Sequence, residues 1–89
     1  MQNSNIPIEA ISLFSTLGDI RPLRIRLEDN EHRLITLNID EVVYCRESSL
    51  LGINTFQYVC RIHLEGHERL VELLYNVASH KWILQRILA

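Results

Sequence analysis

The feature that most restricts this chain is the alternation in "RPLRIRLED" at residues 21–29, where Leu23, Ile25 and Leu27 interleave with Arg24 and Arg26. A period of two belongs to a β-strand with one apolar and one polar face. Residues 33–39 repeat the pattern with Ile35, Leu37 and Ile39, and both sets of aliphatic residues carry odd numbers. Directly opposed residues of an antiparallel pair share a face and have a constant sum of numbers, so that sum must be even for apolar to meet apolar. A five-residue connection, Asp29–Arg33, meets this condition by setting Leu27 opposite Ile35, Ile25 opposite Leu37 and Leu23 opposite Ile39. Any two-residue turn would set aliphatic against polar throughout. The same register puts Arg26 opposite Thr36 and Arg24 opposite Asn38, which makes the arginines the wet face of an ordinary antiparallel hairpin.

Similar signals run along most of the chain. Residues 8–14, followed by the turn residues "STLGD" and a Gly18 suited to positive φ, read as a hairpin into 20–28. Pro22 cannot donate to a ladder, which places it at its strand's start or on an edge. "IDEVVYCRES" gives a strand at about 42–46 after a corner at Asp40–Glu41, and "SSLLGIN" at 48–54 reads as a loop around Gly52. "TFQYVCRIHL" alternates most cleanly, with Phe56, Tyr58, Cys60, Ile62 and Leu64 on one face and Thr55, Gln57, Arg61 and His63 on the other; "EGH" at 65–67 is its turn. Residues 1–5 are polar and expected to fray or be disordered.

The C-terminal part admits two readings. Leu70, Leu73, Leu74 and Val77 fit a helical stripe over about 67–78, whereas Val71, Leu73 and Tyr75 alternate as in a strand, with "NVASH" turning into a last strand that buries either Trp82 and Leu84 or Ile83 and Ile87. The order "PLRIR", "VVYCRE", "YVCRI", a Gly followed by "HERL", and "LLY" six residues before "KW" resembles a group of small uncharacterised bacterial proteins from about Ile20 to Ile87. That resemblance implies an antiparallel all-β domain with the Trp on its last strand, and no activity. The leucine-rich "LVELL" departs from the group. The expected fold is therefore one all-β domain over residues 1–89, a single antiparallel sheet of six or seven strands, coiled or partly closed like a barrel. An α+β fold with a helix at 67–78 is the alternative. Its core would hold Leu23, Ile25, Leu37, Ile39, Phe56, Tyr58, Cys60, Ile62 and Trp82.

Composition narrows the function classes. At 89 residues the chain supports one core, which argues against a deep catalytic cleft. Nine Lys plus Arg against eleven Asp plus Glu give a net charge of −2, so there is no general attraction to nucleic acid or anionic membrane. No apolar run approaches the ~18–20 residues of a membrane helix, and the N-terminus lacks the basic start of a secretory signal. A cytoplasmic protein is expected, with Cys45 and Cys60 reduced.

Three constellations invite chemistry. Arg24, Arg26 and Arg61 on one surface would suit phosphate or carboxylate, although solvated pairs with Glu28, Glu47 or Glu72 explain them as well. Cys60, His63 and His67 suggest a metal, but residues three apart on a strand point to opposite sides. His80 is expected near Glu65 or Asp40. No nucleophile, phosphate loop or carboxylate pair stands in a recognisable order, so no enzymatic activity, cofactor or small-molecule substrate is expected. Leu50, Leu51 and Ile53 are apolar where a polar loop is expected, and they either fold over the sheet's end or meet a partner. The functional expectation is a small protein-interaction module, whose partner is another protein or a second copy in a homodimer, acting through an edge strand or the 48–54 loop; nucleic-acid binding through the arginine face is the alternative.

Overall fold

The computed structural model describes residues 3–89, apart from the side chains of Asn3, Ser4 and Leu50. Among the described residues there are seven strands and no helix, and so no helix long and apolar enough to cross a membrane. The strands are β1 (Asn3–Phe14), β2 (Ile20–Glu28), β3 (Leu34–Asn38), β4 (Glu41–Leu50), β5 (Ile53–Leu64), β6 (His67–Asn76) and β7 (Lys81–Ile87). All pair antiparallel in one curled half-barrel sheet of order β3-β2-β1-β7-β6-β5-β4. The helix considered for 67–78 is absent: β6 runs to Asn76 and buries Val71, Leu73 and Tyr75. Asn3 to Asn5 lie within β1, where Asn3 pairs with Arg86; residues 1 and 2 of the segment expected to fray are outside the described residues.

The even-sum register of the second hairpin is present, with Leu27 opposite Ile35, Ile25 opposite Leu37, Arg26 opposite Thr36 and Arg24 opposite Asn38. Asp29 builds its loop by accepting at Oδ1 from the amides of Glu31 (2.8 Å) and Arg33 (2.9 Å). These bonds, Arg33's first, hold its carboxyl below its ordinary value. The turns after β4 and β5 are each two residues long. Leu51 and Gly52 (φ 53° and 79°) and Glu65 and Gly66 (φ 53° and 80°) take the left-handed pairs whose twist suits a hairpin. What read as a loop at 48–54 is thus two strand ends and a tight turn.

Antiparallel order requires six reversals from β3 to β4, so these two strands run in the same direction, joined only by Ile39 and Asp40. They form one strand path with a corner in it. Below the corner it pairs with β2, above it with β5. The Ile39 amide donates to the Leu23 carbonyl and the next amide, Asp40, donates to the Arg61 carbonyl, both at 2.9 Å. β1 changes partner in the same way, pairing with β7 up to Ile8 and with β2 from Glu9. Two such strands let a short meander curl around one core.

That core contains Ile25, Tyr58, Cys60, Ile62, Val71, Leu73, Tyr75, Trp82 and Leu84. Trp82 is buried between Tyr58 and Tyr75, with ring centroids at 5.3 and 4.8 Å. Leu37, Ile39 and Phe56 pack against it, half-buried. Leu23, expected inside, is 39% exposed. Between Arg24, opposite Ile11, and Pro22, opposite Ser12, it is an extra residue in β2 with no partner on β1. Such a bulge reverses which residues face inward. Past it, Pro22 is fully buried and Ile20 half-buried, with Pro22 ahead of the segment that β3 covers.

The phase reversal separates two neighbouring aliphatics. Ile25→Ala is expected to cost about 2–5 kcal/mol in urea unfolding, and Leu23→Ala less than about 1 kcal/mol. Equal losses would mean that β2 has no such reversal.

Candidate functional site

Arg24 and Arg26 project from the outer face of β2 and Arg61 from that of β5, on the two strands that the bent β3–β4 path joins, with Asn38 opposite Arg24 and Glu41 opposite Arg61. Arg24 donates to Asn38 Oδ1 at 3.0 Å, and Arg26 Nε donates to Glu9 Oε1 at 2.6 Å. Arg61 is held by Glu41 and Glu68 together. The carboxylates are thus Glu9, Glu41 and Glu68, while Glu72, 8% exposed, pairs with Arg86 at 2.9 Å. Arg24, Arg26, Ile11 and Thr36 do line a shallow outer depression of about 390 Å³, but Glu9 stands in it and cancels much of its positive potential.

Cys60 is buried and His63, on the other face of β5, bonds Asp40 at 2.5 Å. No group of three or more His, Cys, Asp and Glu among the described residues could hold a metal ion. His80 sits with Tyr75, ring nitrogen to hydroxyl 2.7 Å, and not with Glu65 or Asp40.

The β4–β5 tip carries the expected apolar residues on its surface. Leu51 is 93% exposed and Ile53 52%, so neither folds over the sheet; the Leu50 side chain lies outside the described ones. Both line an outer depression with Arg46, Ser48, Leu74 and Gln85, whose Oε1 is buried with no hydrogen-bond partner among the described residues.

A second feature arises from the corner. Because the strand path leaves β2 for β5 at Asp40, the start of β2 and the edge of β4 diverge and leave a cleft of about 420 Å³. Leu13, Ile20, Val42, Phe56 and Tyr58 give it apolar walls, Cys45 lies in its β4 wall, and Asp19 and Arg21 stand on its β2 side. The Tyr58 hydroxyl crosses the interior to donate to the Ile20 carbonyl at 2.5 Å, which ties β5 to β2. Burial pushes the Tyr58 hydroxyl and the Cys45 thiol above their ordinary values, and Asp19 and Glu47 add to the effect on Cys45. A protonated thiol is a weak nucleophile, so Cys45 is a wall of this cleft more than a reactive group.

The edge of β4 runs alongside. Among the described residues its ten residues pair on one side only, with β5, and Val43 is an extra residue between Val42, opposite Cys60, and Tyr44, opposite Val59. Val43 and Tyr44 are both exposed. The sequence offered no sign of the cleft, because its walls come from four strands, β1 and β2 on one side and β4 and β5 on the other, that are distant in the chain.

No known family description matches this chain, and neither does any curated protein or solved structure.

In the native protein N-ethylmaleimide is expected to add once, at Cys45 and more slowly than to a free thiol, while Cys60 reacts only after unfolding; intact mass reads both. Burial raises the Cys60 thiol from 9.0 to about 12. Between these values the unfolded chain has released a proton that the fold retains. The contribution of Cys60 is thus full below about pH 9 and falls by about 1.4 kcal/mol per pH unit from there to about pH 12, a slope that Cys60→Ala removes.

Proposed function

We propose that the protein is a small protein-interaction module that takes an extended segment of a partner, another protein or a second copy, along the free edge of β4 and against the β4–β5 tip. Main-chain groups on such an edge are unpaired and accept an added strand. The carrying observation is Leu51. It holds φ 53° at a turn position that favours Asn, Asp or Gly, and it exposes nearly its whole side chain. A left-handed backbone costs an L-residue about 1–2 kcal/mol, and no packing within the fold offsets it. Glu65 takes the same φ in the next hairpin turn, so what sets Leu51 apart is a large apolar side chain left open to a partner there.

Less supports nucleic-acid binding through the arginine face. Its three residues are each engaged by a neighbour, and the inward Phe56 and Tyr58 offer no stacking surface beside Arg61.

Host lysate passed over the immobilised protein, with and without nuclease, tests the reading against two variants. Leu51→Asn is expected to raise stability by about 0.5–1 kcal/mol while losing a component that the wild type retains. Tyr44→Lys, a charge on the free edge, should lose the same component with little change in melting. Equal retention by all three removes the module reading, and retention that nuclease abolishes favours the arginine face.

A further inference from the structure

We infer that the segment added to β4 belongs to a different chain and, running antiparallel like every pair in this sheet, reads basic, acidic, apolar in that order, opposite Glu47, Arg46 and Cys45. This rests on β4 being the docking edge. The bulge at Val43 disrupts the lower part of that edge and leaves Tyr44–Leu50 as its regular stretch. If a second copy paired there, the two strands would be related by a two-fold axis normal to the sheet. The even-sum rule then places one residue directly opposite its own copy.

Full overlap of residues 44–50 sets Glu47 against Glu47, and one step towards the N-terminus sets Arg46 against Arg46. Like charges directly opposed destabilise a strand pair. Moving the axis to Ser48 or to Cys45 avoids this, but shortens the ladder to residues 46–50 or 44–46. The full overlap and one of the two five-residue registers thus oppose like charges, a device that natural edges use against their own copies.

The same two charges are unsatisfied within the chain. Among the described residues neither Arg46 nor Glu47 makes an ion pair, and Arg46 only donates to Gln57 Oε1 at 2.7 Å. Arg46 shares a face with Gln57, and Glu47 shares the other with Phe56. Residues directly opposite across a strand pair share a face, so an acid meets Arg46 and a base meets Glu47. Between Arg46 and Tyr44, Cys45 opens on the apolar cleft, and the residue opposite it is directed the same way. An aliphatic side chain there has somewhere dry to go. No Lys or Arg in this sequence is followed by Asp or Glu and then an apolar residue, so a second copy does not supply the segment.

The test is a low-salt titration of the isotope-labelled full chain, followed by amide resonances, with two N-acetylated hexapeptides. One is Thr-Lys-Glu-Leu-Val-Thr and the other exchanges its charges, Thr-Glu-Lys-Leu-Val-Thr. The first is expected to shift the amides of Tyr44–Leu50 and to bind about five- to ten-fold tighter than the second. Arg46→Glu combined with Glu47→Arg should invert the preference, and added salt should flatten it. Equal binding of both peptides at β4, or an unchanged preference in the exchanged variant, overturns the charge order and leaves the edge reading standing. A dimer in sedimentation with β4 amides protected overturns the different chain alone. No shift at β4 from either peptide overturns this inference, and it removes the edge reading too only if the lysate comparison is also negative.

Discussion

Two consecutive amides bonded to opposite walls hold this fold in its shape. Ile39 donates to β2 and Asp40 to β5, so the chain passes from one part of the sheet to the other without a loop. Successive N–H groups of an extended strand point to opposite sides, so a strand bent at this position can serve both neighbours at once. The need for it is topological. Seven strands that all pair antiparallel cannot close in a ring, because the seventh reversal would leave two neighbours parallel. Bending one strand path, so that β3 and β4 are its two halves, reduces the meander to six paths and restores an even count.

The open features follow from that corner. Above it, the start of β2 loses the neighbour that β3 provided below, and the edge of β4 faces a gap where a strand would otherwise lie. Tyr58 spans the gap from inside, and its phenol, buried and donating to Ile20, stands where a backbone ladder would have been. Pro22 tolerates its missing N–H because it lies ahead of the part of β2 that β3 covers. The bulge at Leu23 falls in the same region. It turns Pro22 and Ile20 inward at the level where the core narrows towards the cleft.

What the residues revealed beforehand follows this division between local and distant. Parity within neighbouring segments correctly placed Ile25 opposite Leu37 and Arg24 opposite Asn38, since a hairpin's register depends only on residues close in sequence. Leu23 deceived because its alternation continues unbroken in the sequence, while the reversal is imposed by β1, the strand beside it. Leu51 hid a two-residue turn because it occupies a position where Asn or Gly would have announced one. In the C-terminal part, leucines spaced for a helix lie on both faces of a strand: Leu73 points into the core and Leu74 towards the outer depression. Arg61 shared a polar face with Arg24 in the one-dimensional pattern, but its own partners, Glu41 and Glu68, come from the two strands beside β5 and show only in the folded sheet. The cleft was illegible for the same reason, as residues from 13 to 58 meet in it only after the curl.

An edge left open by topology is a hazard that the chain limits without closing it. The bulge at Val43 removes one end from regular pairing, and Glu47 and Arg46 penalise the full symmetric overlap and one of the two next-longest registers. Proline or a lysine-rich strand would have blocked the edge altogether, and neither is present in Glu41–Leu50. The tip is different in kind. There a fully exposed leucine in a left-handed turn lowers stability and raises the risk of association at once. Protection at the centre of the strand and an unprotected apolar residue at its end make sense together if association is wanted with one kind of segment and not with every edge that passes. In the proposed interaction, charge would select the partner and apolar contact at the tip and in the cleft would hold it.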